Sequence, residues 1–321
     1  LSLVVTLSSI PPRFSGLGPT LKSLLGQTVA PDEIRLYIPA RYRRFPDWDG
    51  TLPQVPPGIT ITRCDADFGP ATKILPALRD GRRQDVELLL CDDDRIYDPG
   101  WTARFLAARR QHPDCVIAEA GRFVPGHDGT ADPKAGARKK DIAYRCKRIV
   151  TCGRYKPTAW TRSGHVDVFK GYGGALLRPD FLPDFAFDIP ELIWTVDDPW
   201  LSGCLAVNGV RIWLNPQGLH PAEGRVGRRA ALLDYALKGR GRGNANEACF
   251  AWFQQNHGIW LPESVRPAPS IGPIAPLTDA VGPPAGPMAG DAPCPYARLS
   301  FLNAAEAPQP ANTATASDIR P

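Results

Sequence analysis

The chain has 321 residues, 43% hydrophobic and 22% charged, which suits one large α/β domain or two small ones built around a real core. Its net charge of +5 is mild, its basic residues are scattered, and no DNA- or RNA-binding signature is present. That excludes a nucleic-acid protein and leaves an enzyme that attracts anionic ligands or rests near an anionic membrane surface.

Leu3 to Leu7 is a short β-rich run that stops at Ser8, Ser9 and two prolines. Thr20 to Gln27 predicts a helix with Leu21, Leu24 and Leu25 on one face. Ile34 to Ile38 and Ile59 to Arg63 predict strands, the second entered through Pro56-Pro57-Gly58. Pro70 to Leu78 predicts a helix with proline in its first turn. Val86 to Cys91 is nearly all apolar, as a buried central strand requires. Trp101 to Arg110 predicts a third helix and Cys115 to Ala118 a strand. Residues 125–140 read as a long loop, and from Ile142 the pattern predicts shorter strands. A helix is expected to start near Asp198-Pro199, a strand to cover Val210 to Leu214, and a last helix Asn246 to His257.

This alternation predicts a doubly wound, mostly parallel sheet with flanking helices over residues 1–262. In such sheets ligands bind beyond the carboxyl ends of the strands, so the chemistry is sought after Leu7, Arg63 and Cys91. After Pro262 periodicity fades, and residues 263–321 hold 12 of the 35 prolines. Disorder is the expectation for that tail. None of the eight cysteines forms a C-x-x-C pair, so reduced core thiols of a cytoplasmic protein are expected, in line with the absence of an N-x-S/T site. No apolar run approaches the ~20 residues of a membrane span, and no signal peptide is visible. The chain begins at Leu1 rather than Met, which leaves room for residues upstream.

Asp92-Asp93-Asp94 directly follows the apolar strand. Adjacent carboxylates repel one another, and a divalent cation, Mn²⁺ or Mg²⁺, relieves that conflict with oxygen ligands and substrate phosphates. The plainer alternative is an acidic turn. Asp197-Asp198-Pro199 is either a helix cap or the start of a helix that points a general base into a cleft. The glycines of Gly171-Tyr172-Gly173-Gly174 permit close backbone approach to a ligand, or form an ordinary turn. Asp67 to Lys73 opens a helix, where amides and Lys73 suit an anion or only the surface. His220 is a metal ligand or an exposed histidine. The basic run Arg225, Arg228, Arg229, Lys238, Arg240 and Arg242 is a solvated face or a lid over a diphosphate.

Taken in this order, these segments resemble the GT-A fold glycosyltransferases, especially the inverting family 2. Thr6-Leu7-Ser8-Ser9-Ile10-Pro11-Pro12-Arg13 is similar to the first strand end that seats the nucleoside, so Thr6 and Arg13 are implied donor contacts. The resemblance implies further donor contacts from Asp65, Lys73, Asp92 and Asp93. It implies a metal held by Asp94 with Asp92 and His220, and an acceptor side at Gly173, Gly174 and Asp197. Asp198 matches the catalytic base. Phe68-Gly69-Pro70-Ala71-Thr72-Lys73 resembles a segment of bacterial polysaccharide-building transferases, while the missing Q-x-x-R-W argues against a processive synthase. The implied partners are a nucleotide-sugar donor and a glycan or lipid-linked acceptor. The implied setting is the cytoplasm, extending to peripheral association with the inner membrane face. A nucleotidyltransferase and an inactive sugar-nucleotide-binding relative are the alternatives.

Overall fold

The computed structural model describes residues 2–81, 85–127, 132–139, 141–152, 154–155, 159–218, 220–224 and 242–262. The chain divides into two units, Leu1–Ala268 and Pro269–Pro321. The tail expected to be disordered and the basic run from Arg225 to Arg240 lie outside the described residues. The first half of the fold is β1 (Ser2–Ser8), α1 (Gly18–Leu25), β2 (Glu33–Pro39), β3 (Thr60–Cys64), α2 (Leu75–Gly81), β4 (Val86–Leu90), β5 (Arg95–Ile96), α3 (Trp101–Gln111) and β6 (Cys115–Ala118). Then follow β7 (Gly121–Arg122), β8 (Gly136–Ala137), α4 (Ile142–Val150), β9 (Trp160–Arg162), β10 (Gly164–Val166), β11 (Val168–Phe169) and β12 (Ala175–Leu177). The described chain closes with α5 (Asp197–Val207), β13 (Arg211–Leu214), β14 (Ala222–Glu223) and α6 (Arg242–His257).

Eight strands form one sheet in the order β10-β13-β6-β12-β4-β1-β2-β3. The block β4-β1-β2-β3 is parallel, and so is the pair β13-β6. β12 runs antiparallel between these blocks, and β10 runs antiparallel to β13. The expected mostly parallel α/β sheet is therefore present. Alternation along the strands divides the core in two. Leu3, Val5, Leu7, Leu36 and Leu89 pack with Leu21 and Leu24 of α1 and Trp101 and Phe105 of α3. Val4, Leu88 and Leu90 belong to the other face, with Leu75 and Leu78 of α2, Trp200 and Leu205 of α5, and Phe250 and Phe253 of α6. Both faces of the sheet are covered, which explains why β4 is apolar at nearly every position.

Two expectations are corrected. The helix expected from Pro70 begins as a 3-10 turn over Gly69–Lys73 and becomes α-helical only at Leu75. Strands were expected from Ile142, but that segment is α4, capped by the Asp141 carboxylate accepting from the Tyr144 amide at 2.8 Å. Cys91, Cys115, Cys204 and Cys249 are buried as core thiols, whereas Cys146 and Cys152 are exposed.

A buried ion pair ties α3 to the sheet. Arg109 Nε lies 2.9 Å from Glu87 Oε1, and the same guanidinium donates to the carbonyls of Cys115 and Leu176. Burial pushes the Glu87 carboxyl up and the Arg109 guanidinium down, so each ion depends on the other. Arg109→Leu is expected to cost about 3–5 kcal/mol in urea unfolding, because it strands Glu87 in the interior. Adding Glu87→Leu should recover most of that loss. Equal instability in the single and double variants would refute the pairing argument.

Candidate active site

A cavity of about 270 Å³ opens where the parallel strands β1, β2, β3 and β4 end. Its wall is assembled from Ser8–Ile10 and Arg13 after β1, Tyr42 after β2, Asp67–Lys73 after β3, and Cys91–Arg95 after β4. Tyr172, Trp194, Asp197, Asp198 and Glu223 complete it. The position follows from the sheet, since loops leaving parallel strands collect on one edge.

Lys73 lies at the heart of this wall. Its Nζ is 2.6 Å from Asp92 Oδ1, 2.7 Å from Asp197 Oδ2 and 3.9 Å from Asp198 Oδ1. Burial alone would push this amine down, but the carboxylates of Asp197, Asp92 and Asp198 outweigh it and hold the ammonium well above its ordinary range. The Gly69–Lys73 turn places this lysine by a tight fit. Gly69 has φ +62°, and a Cβ there would lie 2.7 Å from the Trp194 carbonyl oxygen. The Trp194 indole in turn donates to the Asp67 carbonyl at 3.1 Å.

The helix-cap reading of the acidic pair is not what the structure shows. α5 begins at Asp197, its N-cap is Val196, and no side chain caps it. Asp197 turns to Lys73, and Asp198 Oδ1 accepts from the Gly171 amide at 3.0 Å. A Cβ on Gly171 would collide with Lys73 Nζ and lie 3.0 Å from Asp198 Oδ1 and 3.3 Å from Asp92 Oδ1. Glycine is required there for close approach.

The acidic triplet divides its work. Asp92 faces Lys73. Asp93 is buried, accepts from Ser9 Oγ at 2.5 Å and pairs with Arg13 at 2.7 Å. Its backbone carbonyl accepts from Thr20 Oγ1 of α1 at 2.9 Å. Asp94 lies 3.4 Å from Arg13 and 3.3 Å from Arg95. Burial pushes Asp93 and Asp94 up, and Asp92 adds to the effect on Asp94.

Arg13, Lys73, Asp92, Asp93, Asp94, Asp197 and Asp198 of the expected site thus come together on one cavity. The other expected residues do not line it. Thr6 is fully buried within β1, its hydroxyl without a hydrogen-bond partner. Asp65 is exposed, and Asp67, two residues on, lines the wall instead, accepting from the amides of Arg43 and Gly69. Added Cβ atoms on Gly173 and Gly174 would strike Ala120 and Trp101, so these glycines serve core packing. His220 stacks on Tyr172 at 5.1 Å, with Nδ1 3.1 Å from the Pro221 carbonyl oxygen. Ser9, Asp67, Gly171 and Tyr172 lie in segments that the sequence reading singled out without naming them as site residues, whereas Tyr42, Arg44, Arg95 and Glu223 carried no signal.

The cavity wall carries seven carboxylates against four cations, Arg13, Arg44, Lys73 and Arg95. Among the described residues no three His, Cys, Asp or Glu side chains are placed to hold a metal by themselves. The donor set nonetheless suits a hard cation of the Mg²⁺ type, which takes one or two carboxylates and completes its shell with substrate phosphates and water. Asp94 and Asp92 are the residues that would serve.

No protein-family model matches the chain, and no curated protein matches it. Among solved structures it is similar to S. aureus TarS 1-349 in complex with UDP, at 14% identity and TM-score 0.39, over 69% of this chain and 60% of that one. S. aureus TarS follows at 13% and 0.41, over 81% and 44%. GalNAc-T7 with UDP, GalNAc and Mn²⁺ follows at 13% and 0.43, over 79% and 48%. The chain thus spans less than two thirds of the length of each of these structures. Likeness of this degree decides nothing about chemistry, which rests on the residues of the cavity.

Lys73→Met should leave Asp92, Asp197 and Asp198 facing one another without a counter-ion and cost about 3–5 kcal/mol of stability. Asp197→Asn in the same chain should restore a measurable part of it. Chemical denaturation of the three chains checks this, and an unchanged midpoint in Lys73→Met would show that the ammonium is dispensable.

Proposed function

We propose that this chain is a glycosyltransferase of the GT-A type, moving a sugar from a nucleoside-diphosphate sugar to a hydroxyl acceptor with inversion. The observation that carries this reading is the convergence of Arg13, Asp92–Asp94 and Asp197–Asp198 on one cavity at the carboxyl ends of parallel strands. The wall beside Ser9, Arg13 and Asp94 takes the donor, with Arg13 and Arg95 facing its diphosphate. Asp198 is the general base.

In the proposed step the acceptor oxygen attacks the anomeric carbon as the bond from that carbon to the diphosphate oxygen breaks. The acceptor proton passes to Asp198, and the nucleoside diphosphate leaves with the bond electrons. The Gly171 amide holds Asp198 Oδ1 in place, which fixes the direction of the carboxylate toward the acceptor. Lys73 keeps Asp197 and Asp92 from repelling that carboxylate. A divalent ion on Asp94 and Asp92, when bound, supplies positive charge to the leaving diphosphate. The acceptor in this reading is a glycan or lipid-linked sugar of bacterial surface polysaccharide.

Asp198→Asn is expected to lower kcat by about 10²–10⁴-fold while leaving nucleotide affinity within a factor of about two. A thermal-shift panel of UDP, GDP, dTDP and CMP, with and without Mn²⁺, selects the nucleotide. Turnover of the matching sugar nucleotide is then followed by product. Release of nucleoside diphosphate from it supports transfer, whereas pyrophosphate released from the matching nucleoside triphosphate and a sugar phosphate identifies a nucleotidyltransferase, and no turnover of either substrate identifies an inactive relative. Full activity in Asp198→Asn would remove the base from the scheme.

A further inference from the structure

Helix α4 is turned the wrong way for a helix of a folded core. It has no buried residue, and its apolar side chains face outward. Ile142 is 79% exposed, Ile149 76% and Val150 83%, whereas every other exposed large hydrophobic among the described residues lies between 37% and 42%. At 100° per residue, Ile142, Cys146, Ile149 and Val150 share one stripe. The opposite side carries Tyr144. Tyr144 is half-buried and packs on Tyr155 at 5.9 Å, and Lys147 Nζ lies 5.7 Å from the same ring.

The surroundings of the stripe are basic. Arg145, Lys147 and Arg148 on the helix are exposed, as are Lys139 and Arg154 just beyond its ends. Residues 132–162 contain ten Lys and Arg against two Asp, an excess larger than the +5 of the whole chain. An outward apolar stripe rimmed by cations matches one surface by its chemistry. Apolar side chains enter the acyl boundary of a bilayer while Lys and Arg stay among anionic headgroups. Meanwhile no helix among the described residues is long and apolar enough to cross a membrane.

We propose that α4 is a membrane-docking helix that seats this chain on an anionic lipid surface through Ile142, Ile149 and Val150. It lies flat in the interface, with Arg145 and Lys147, which flank the stripe on either side, at headgroup level. This inference stands on α4 alone and does not depend on the chemistry assigned to the cavity.

The test is co-sedimentation of the full chain with vesicles of phosphatidylcholine, with and without phosphatidylglycerol. The partition coefficient is expected to rise by about tenfold or more with phosphatidylglycerol and to fall as salt is added. The variant Ile149→Glu/Val150→Glu should lose binding to both vesicles by at least about tenfold. Its melting temperature should stay unchanged, because both side chains are exposed. Arg145→Glu/Lys147→Glu should lose the preference for the anionic lipid. Absence of wild-type binding to phosphatidylglycerol vesicles would overturn the proposal, as would equal binding by Ile149→Glu/Val150→Glu. A lipid-free dimer abolished by that variant would assign the stripe to a second copy of the chain instead.

Discussion

A single buried ammonium group holds the functional edge of this protein together. Lys73 joins the turn after β3, the carboxyl end of β4 and the first turn of α5, segments separated by up to 125 positions in the chain. Three carboxylates cannot share so small a space unless a cation stands among them, and an ammonium cannot be buried unless carboxylates surround it. Each group is tolerable only because the others are present. The packing nearby keeps this arrangement tight: Gly171 leaves no room for a side chain, and the backbone at Gly69 fits under Trp194.

The opposite wall uses the same logic with different ions. Asp93 is as deeply buried as Lys73 and is held by Ser9 and Arg13, while its carbonyl receives the Thr20 hydroxyl. One residue of the triplet therefore ties α1 and the loop after β1 to the end of β4, and its neighbours on either side face the cavity. The turn that follows β4 makes this division: Asp92 meets Lys73, Asp93 meets Ser9 and Arg13, and Asp94 meets Arg95. The cost of assembling so many like charges is met by neighbouring cations, not by exposure to water.

The sheet was legible in the sequence because its strands are short apolar runs stopped by prolines, glycines and acids. Val86 to Cys91 is the clearest example, and the acidic triplet after it marks the functional edge. What could not be read was side-chain direction over one or two residues. Asp65 and Asp67 look alike on the page, yet only Asp67 is held by the amides of Arg43 and Gly69 and turned to the cavity. Within the glycine cluster, Gly173 and Gly174 are small to make room for Ala120 and Trp101, and Gly171 to admit Lys73. Thr6 failed for the opposite reason, since a strand residue near a site can still point into the sheet packing. Where short strands were expected from Ile142 the chain forms helix α4, whose apolar residues are exposed and so mark no core-facing stripe.

The reversed strand β12 has a consequence for how the chain can be altered. Leaving a parallel strand is the usual way for a segment to reach this edge, but β12 arrives instead, with Ala175 beside Leu90 and Leu177 beside Leu88. The segment before it, which holds Gly171, is thereby delivered to the carboxylates, and the segment after it is carried to the far edge of the sheet. Length is consequently not interchangeable across these two connections. An added residue between β11 and β12 shifts the backbone amide that holds Asp198. The segment Asp180–Asp184, beyond β12, lies at the other end of the strand and buries Phe181 and Leu182, so a change of length there disturbs core packing and leaves the amide that holds Asp198 in place.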